Sequence, residues 1–471
     1  MAGRREIDMS VRSIIALGAN VGDRAGTISR ALRALQKFGT VESTASLVES
    51  AAAYVTEQPP FLNTVCALHT SLAPLELLGA LKAIERDLGR IERQRWGPRE
   101  IDLDLLLYGD AVLRTGTGAR ELELPHPRIA ERDFVLQPLA EIAPSLVHPV
   151  HKRTIGQLDR ALGSERLQRV TPLRDGSALR WGERTYIMGV LNTTPDSFSD
   201  GGDFEGAEAA VQQGLAMQAA GADVLDIGAQ STRPGAPFVT PEEEVRRAAP
   251  VVRGLLERGL RIPISIDTFS SAVAEELVGM GASIVNDVTA GAHDPQMLST
   301  ISRLGVPAVL MHMRGTPQTM QQLTQYSDVV VETRAELHAR LMAAEAVGVP
   351  RWNLISDVGI GFAKTAEHNL TLLGQLHRFG REPPSVDGRE GELGESGGLG
   401  LPLLVGVSRK SFIGSLLGGL PPKERGWGTA AACAACIPHA DLLRVHDVAE
   451  MKQVAVVADA ICRAAGASSV A

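Results

Sequence analysis

The chain has 471 residues, 44% hydrophobic and 22% charged, with a formal net charge of −8; it is longer than a typical single domain, and its composition suits a globular protein with large cores. An acidic chain carries no overall basic field for a nucleic-acid backbone, and no apolar run reaches the roughly 18 residues that cross a membrane, so neither is expected as a partner. Its four cysteines are too few for a disulfide framework and point to a reducing compartment.

Residues 1–13 carry Arg4, Arg5 and Arg12 beside Glu6 and Asp8, without the apolar stretch of a secretory signal. The expected location is cytoplasmic, or the mitochondrial matrix if a presequence has been removed. Short apolar runs at 13–17, 63–70 and 101–108 alternate with helical patterns at 26–37 and 74–88, which predicts a small α+β domain, assigned to 10–172. Within it, Asp102 and Asp104 are spaced i, i+2 on a strand, so both carboxylates share one face while Ile101, Leu103 and Leu105 turn to the core. Such a pair suits Mg2+, which takes one or two carboxylates plus substrate phosphates. No GxxxxGK[ST] loop occurs, so a nucleotide must be met by separate basic side chains such as Arg90, Arg99, His126 and Arg132.

The stretch 148–179 has scattered charges and weak periodicity, and the domain junction is expected at 172–177. A strand-then-helix rhythm follows, with strands predicted at 186–191, 223–228, 262–267, 283–286, 307–311, 353–357, 402–407 and 441–445. Eight such units predict a (β/α)8 barrel over 178–467; the alternative, an open doubly wound sheet, lacks its glycine fingerprint. Residues 380–400, dense in Gly, Pro and Glu, read as a flexible surface insertion. Cys433 and Cys436 have CxxC spacing, but in an Ala-rich stretch that reads as a packed helix.

Chemistry in such a barrel lies at the strand C-termini. Those ends carry Asn192, Thr232 with Arg233, Asp267, Asn286, His312, Asp357, Ser408 with Lys410, and Arg444 with His446. Carboxylates and amides suit a donor-rich heterocycle, and the cations suit a polyanion. Arg444 and His446 are two apart on a strand and share a face, so both are expected to hold the anion and leave the ring to Asp267, Asn286 and Asp357.

These residues carry two resemblances. LGANVGDR, QPPFLNTV, RWGPREIDLDLLLYG and LPHPRIAERDFVLQPLAEIAP resemble, in order, the segments of 6-hydroxymethyl-7,8-dihydropterin pyrophosphokinase. That resemblance implies a ferredoxin-like α+β domain in which Asp102 and Asp104 bind Mg2+. Arg90, Trp96, Arg99, His126 and Arg132 would engage ATP, with Arg90 and Arg99 joining the two aspartates in catalysis. Phe61, Asn63 and Phe134 would hold the pterin.

LNTTPDSFSDGG, STRPG, SIDT, IVND, LMHMRGTPQTMQ, DVGIGFAK, GVSRKSFIG and LRVHDV resemble, in order, dihydropteroate synthase. By that resemblance Asp267, Asn286, Asp357 and Lys410 bind the pterin, with Asp267 and Lys410 catalytic. Asn192, Arg444 and His446 take pyrophosphate, Asn192 also meeting its Mg2+, and Thr232, Arg233, Phe362 and Ser408 serve p-aminobenzoate. Implied partners are the small molecules ATP, hydroxymethyldihydropterin and p-aminobenzoate, with a homodimer or higher assembly through the barrel. A pterin-dependent methyltransferase would share the barrel, but the SRKS and RVHD segments favour the synthase. Ala52, Tyr54, Ala229, Gln230 and Val358 depart from the common patterns.

Overall fold

The computed structural model describes residues 10–52, 57–91, 97–115, 121–193, 203–233, 235–381 and 397–467. The chain divides into two compact units. One comprises Met1–Pro172, Ala178–Arg180 and Pro350–Trp352; the other comprises Leu173–Ser177, Trp181–Val349 and Asn353–Ala471.

The first unit runs β1 (Val11–Ala19), α1 (Arg24–Leu35), β2 (Thr40–Thr44), β3 (Leu47–Ser50), β4 (Phe61–Thr70), α2 (Pro74–Asp87), β5 (Asp102–Tyr108), β6 (Leu113–Thr115), β7 (Leu122–Leu124), α3 (Asp133–Ile142), α4 (Ile155–Leu162), β8 (Gln168–Pro172) and β9 (Ala178–Trp181). The main sheet has the order β5-β1-β4-β3-β8-β9, and β1 is antiparallel to both β4 and β5. The core β1-α1-β3-β4-α2-β5 with strand order β5-β1-β4-β3 is the expected ferredoxin-like arrangement. Its helices are amphipathic: α1 is capped by Asp23, whose Oδ1 accepts from Gly26 N at 2.9 Å, and buries Ile28, Ala31, Leu32 and Leu35. The stretch 148–179, weakly periodic in sequence, holds α4, β8 and the start of β9. A Thr154/Gln157 capping box starts α4, so local capping overrides the scattered charges.

The second unit opens with β10 (Tyr186–Asn192), α5 (Asp203–Ala219), β11 (Val224–Gly228), α6 (Pro241–Glu257), β12 (Ile264–Asp267), α7 (Ser271–Gly279), β13 (Ile284–Asp287) and α8 (Met297–Leu304). It continues with β14 (Ala308–Met311), α9 (Val329–Ala346), β15 (Leu354–Asp357), α10 (Ala366–Gly374), β16 (Leu403–Val405), α11 (Ser411–Leu416), α12 (Gly426–Cys436), β17 (Leu442–Val445) and α13 (Val448–Ala467). The eight strands β10 to β17 close a barrel in sequence order, with β10 parallel to β17. Ile187, Leu225, Ile266, Val285 and Leu443 are fully buried or nearly so, as expected of parallel strands covered on both faces. Residues 382–396, most of the expected insertion, lie outside the described residues. Its base is closed: Gly400 N donates to Gly380 O at 3.0 Å, and buried Arg334 donates to the carbonyls of Arg378, Gly397 and Gly398 at 3.0–3.3 Å. Cys433 and Cys436 are free, buried thiols pushed up to about 12 by burial, as a packed helix requires.

Candidate active sites

In the first unit, strand register assembles the site. Gly18 at the end of β1 stands opposite Asn63 on β4 and Asp102 on β5, and Ala16 stands opposite Asp104. A Cβ at Gly18 would lie 2.7 Å from Asn63 Oδ1, so any side chain there would push the Asn63 amide from its place. A cavity of about 270 Å³ is lined by Phe61, Asn63, Arg99, Asp102, Asp104, His126, Arg132 and Phe134, all eight expected from sequence. Arg90 sits behind them and donates from Nη1 to Asp102 Oδ1 at 2.7 Å. Trp96 and Tyr54 lie outside the described residues.

The two aspartates differ electrostatically. Burial alone would raise the Asp102 carboxyl, but Arg99, hydrogen-bonded to Oδ2, together with Arg90 and Lys82 outweighs it and holds the group below its ordinary range. Asp104 is pushed up by burial and by the charge of Asp102, and Arg132 Nη1 stands 3.9 Å away. Two half-buried carboxylates with unequal cation support fit a divalent metal. Among the described residues no cluster of three His, Cys, Asp or Glu side chains forms, so phosphate oxygens and water would complete the shell. Arg132 Nε is buried without a hydrogen-bond partner, a donor available to a polyanion. His126 Nδ1 accepts from Arg128 N at 3.2 Å, which leaves Nε2 for a ligand.

Glu85 went unread in the sequence. Its carboxylate, 3% exposed, accepts from Leu103 N at 2.8 Å and from Lys82 Nζ at 2.7 Å and pairs with Arg90, so it ties α2 to the strand bearing both aspartates. The signal was its place in the Leu77, Leu81, Ile84, Glu85 stripe, an acid on a core-facing helix position.

In the barrel, Asn192, Gly228, Asp267 and Asn286 stand abreast at the C-terminal ends of β10 to β13. Beneath them lies a second missed acid, the fully buried Asp226. Its Oδ2 accepts from Asn286 Nδ2 at 3.1 Å and Arg444 Nε at 2.6 Å, while Oδ1 is buried without a partner. Arg444 also donates from Nη2 to Asp267 Oδ2 at 2.6 Å. Arg444 thus joins the carboxylates and does not stand only at the anion end. Burial drives the Asp267 carboxyl up; Arg444 opposes this and Asp226 and Asp287 add to it, leaving it at about 7. Burial likewise raises Asp357, whose Oδ1 accepts from Gly359 N at 2.8 Å.

Lys410 Nζ rests 4.2 Å above the centre of the Phe362 ring, and burial, helped by Arg444, lowers it to about 8. His446 and Ser408 meet at 3.0 Å between Nδ1 and Oγ. Burial, then Arg444 and Arg409, push the imidazole down to about 4, so it is neutral at pH 7 and can donate from Nε2 when Nδ1 accepts from the serine. Phe269, Val288, Met311, Met320 and Phe362 form an apolar cluster of their own beside these groups. Among the described residues, no hydrogen bond links Thr232 or Arg233 to Phe362 or Ser408, and Arg233 is exposed on the loop after β11. Asn192 offers one neutral oxygen, so a metal here would take most of its ligands from a bound diphosphate. At the departures, Ala229 O accepts from Arg247 Nη1 at 3.1 Å, Gln230 Oε1 is buried without a partner, and Val358 is fully buried.

A family profile described as pterin binding enzyme matches residues 188–446, and one described as 7,8-dihydro-6-hydroxymethylpterin-pyrophosphokinase matches residues 14–144. With the two sites, these matches define a two-unit pterin-processing transferase. The mitochondrial folate synthesis bifunctional protein of Pisum sativum is 41% identical, over 96% of this chain and 89% of its own. Folic acid synthesis protein fol1 of Pneumocystis carinii is 42% identical over 95% of this chain, which spans 59% of that protein's length. The Plasmodium falciparum HPPK-DHPS wild type with pteroate shares the fold across 96% of this chain and 97% of its own, with a TM-score of 0.75 at 22% identity. A Xanthomonas albilineans dihydropteroate synthase with 4-aminobenzoic acid is 41% identical over 62% of this chain and 98% of its own, with a TM-score of 0.54. The chain belongs to the bifunctional hydroxymethyldihydropterin pyrophosphokinase–dihydropteroate synthase family of folate synthesis.

Proposed function

We propose that the two units catalyse successive steps. In the first, the hydroxyl of 6-hydroxymethyl-7,8-dihydropterin attacks the β-phosphorus of ATP, takes the diphosphate and releases AMP. Arg90 and Arg99 hold Asp102 in place, while Arg132 and His126 meet the nucleotide. Asp102 and Asp104 would hold Mg2+, which supplies positive charge to the transferring phosphates. Phe61, Asn63 and Phe134 line the same cavity, where aromatic rings suit a flat heterocycle.

In the second step the C–O bond to pyrophosphate breaks, and the amine of p-aminobenzoate bonds to the exocyclic carbon and sheds a proton, giving 7,8-dihydropteroate. The observation that supports this reading most directly is the Asp267 carboxyl held 2.6 Å from Arg444 at the barrel mouth: Asp267, with Lys410, would meet the pterin and stabilise a ring cation, and Arg444 and His446 would donate to the leaving anion. No protein nucleophile is needed. Asn286 and Asp357 would orient the ring, Asn192 would meet the diphosphate and its Mg2+, and Phe362, Ser408, Thr232 and Arg233 would receive p-aminobenzoate.

The barrel helices leave a second face for a second copy of the chain. Trp427 is 90% exposed, and Leu416, Leu417, Val456, Val457 and Ile461 are exposed on or beside α11, α12 and α13, apolar side chains that a second copy could cover. The free cysteines fit a cytoplasmic setting, or a mitochondrial matrix reached by a removed presequence. The test supplies ATP, Mg2+, hydroxymethyldihydropterin and p-aminobenzoate and follows AMP, pyrophosphate and dihydropteroate. Without p-aminobenzoate, AMP should form and dihydropteroate should not. No AMP, or AMP without dihydropteroate in the complete mixture, would overturn one step or the other.

A further inference from the structure

The loop after β15 carries two site residues, Asp357 and Phe362, in a contorted backbone. Gly359, Gly361 and Ala363 have φ of 68°, 84° and 49°. A Cβ at Gly359 would lie 1.9 Å from His312 O, so glycine is required there, and Ala363 holds a left-handed conformation at a steric cost. Such a loop persists only if its surroundings over-determine it. Asn369 Oδ1 accepts from Gly361 N at 2.7 Å, and Tyr326 donates its hydroxyl to Ala363 O at 3.1 Å.

The remaining strut is an ammonium group. Lys364 is 4% exposed, and its Nζ donates to Phe362 O at 3.0 Å and meets His312 Nδ1 at 2.9 Å. His312 Nε2 lies 3.0 Å from Glu336 Oε2, and Glu336 is also held by Arg314. With Nε2 donating to Glu336, Nδ1 must accept from Lys364, so one line of hydrogen bonds runs from α9 through the end of β14 to the carbonyl of Phe362. Among the described residues no carboxylate stands within ion-pair distance of Nζ. Burying a cation on neutral acceptors is costly, and burial lowers this group to about 7. A lysine needed only for solubility would reach water.

We propose that Lys364 is a positioning residue for the barrel reaction: through the Phe362 carbonyl it fixes the Phe362 ring beneath Lys410 and so shapes the p-aminobenzoate side of the site. The pterin side has backbone anchors of its own, since His312 N donates to Asp357 O at 2.9 Å and Gly359 N donates to Asp357 Oδ1 at 2.8 Å; Lys364 acts on Asp357 only through its charge. This rests on the reading that Phe362 walls the p-aminobenzoate pocket.

The test uses the full chain with Lys364→Met, Tyr326→Phe and Phe362→Ala, measuring both KM values of the barrel and, as an internal control, the pyrophosphokinase rate. In Lys364→Met the KM for p-aminobenzoate should rise about five- to tenfold while that for the pterin pyrophosphate stays within about twofold, the split expected when a wall is displaced by a fraction of an ångström. Tyr326→Phe, which removes one hydroxyl strut from the same loop, should shift the same KM in the same direction but less. It keeps the question open to refutation if Lys364→Met fails to fold. An unchanged split in both strut variants, with a raised KM in Phe362→Ala, overturns the positioning role. An unchanged KM in Phe362→Ala overturns the aromatic wall, and the inference with it.

Discussion

Arg444→Ala is the substitution for which structure and sequence expect different outcomes. If Arg444 served only the diphosphate, its loss would cost one charge-assisted contact, about 1.5–3 kcal/mol of affinity for a diphosphate-bearing ligand, and nothing else. The structure instead puts the guanidinium 2.6 Å from Asp226, fully buried, and 2.6 Å from Asp267, 6% exposed. Removing one partner of a buried ion pair strands the other, at roughly 3–5 kcal/mol. For a barrel of this size that corresponds to a fall in melting temperature of roughly 6–20 °C.

The loss should depend on pH with a definite sign. Asp267 titrates at about 7 in the fold against an ordinary 3.8. A raised acid contributes stability that is fully present below 3.8 and is lost as pH rises through its folded value. Without Arg444 the strongest attraction on the carboxylate disappears and the folded value rises further. The deficit of the variant against wild type should therefore be nearly constant from about pH 5 to about pH 6, where Asp267 holds its proton in both folds, and widen as pH rises through about 7 to about 8. Calorimetric melting across that range, with binding of the pterin ring with and without its diphosphate, reads both effects. Both ligands should bind more weakly, because the ring carboxylate loses its orientation along with the anion site. An unchanged melting temperature, with affinity lost only for the diphosphate ligand, would refute the reasoning. So would strict additivity of Arg444→Ala with Asp226→Asn, since contacting residues in one network should couple.

Asp102→Asn and Asp104→Asn should each lower AMP formation at least about a hundredfold, and dihydropteroate synthesis from supplied pterin pyrophosphate should persist; near-normal AMP formation would remove the metal assignment. Trp427→Glu with Val457→Glu should shift sedimentation toward the single chain, and an unaltered mass would deny the barrel face a role in assembly. Replacing 382–396 with a short Gly/Ser link should leave the melting temperature within about 2 °C, because shortening a tethered loop changes closure entropy little. Arg334→Met, which strips donors from the carbonyls of Arg378, Gly397 and Gly398, should cost roughly 2–4 kcal/mol by denaturant unfolding.

Six of the eight barrel strands fall inside their predicted windows, and β10 and β13 overrun theirs by one residue, because a parallel strand covered on both faces must be apolar along its length, a pattern carried by consecutive residues. Asp102 and Asp104 were legible for a similar reason: a two-residue period fixes which side chains share a face. β8, reading Gln168–Pro172, offered no such signal. It pairs antiparallel with β3, and that pairing, between residues more than a hundred apart in sequence, makes its residues a strand.

The site residues that escaped share a physical cause. Asp226 lies in an apolar strand and Lys364 in a glycine-bearing loop, and an isolated charge in either place most often faces solvent. What reverses that is a partner distant in sequence: Arg444 is 218 residues from Asp226, and His312 is 52 from Lys364. Neither member signals the pairing alone, because burial becomes tolerable only when both arrive together. The barrel mouth therefore works as one electrostatic unit. Asp226 anchors Arg444, Arg444 keeps Asp267 poised near 7 instead of fully neutral, and Lys364 steadies the loop that sets Phe362 beneath Lys410. A charge removed from the Asp226–Arg444–Asp267 part of that unit should be felt at its other two members, because each is held by direct contact with the next, whereas loss of Lys364 should be felt chiefly at Phe362.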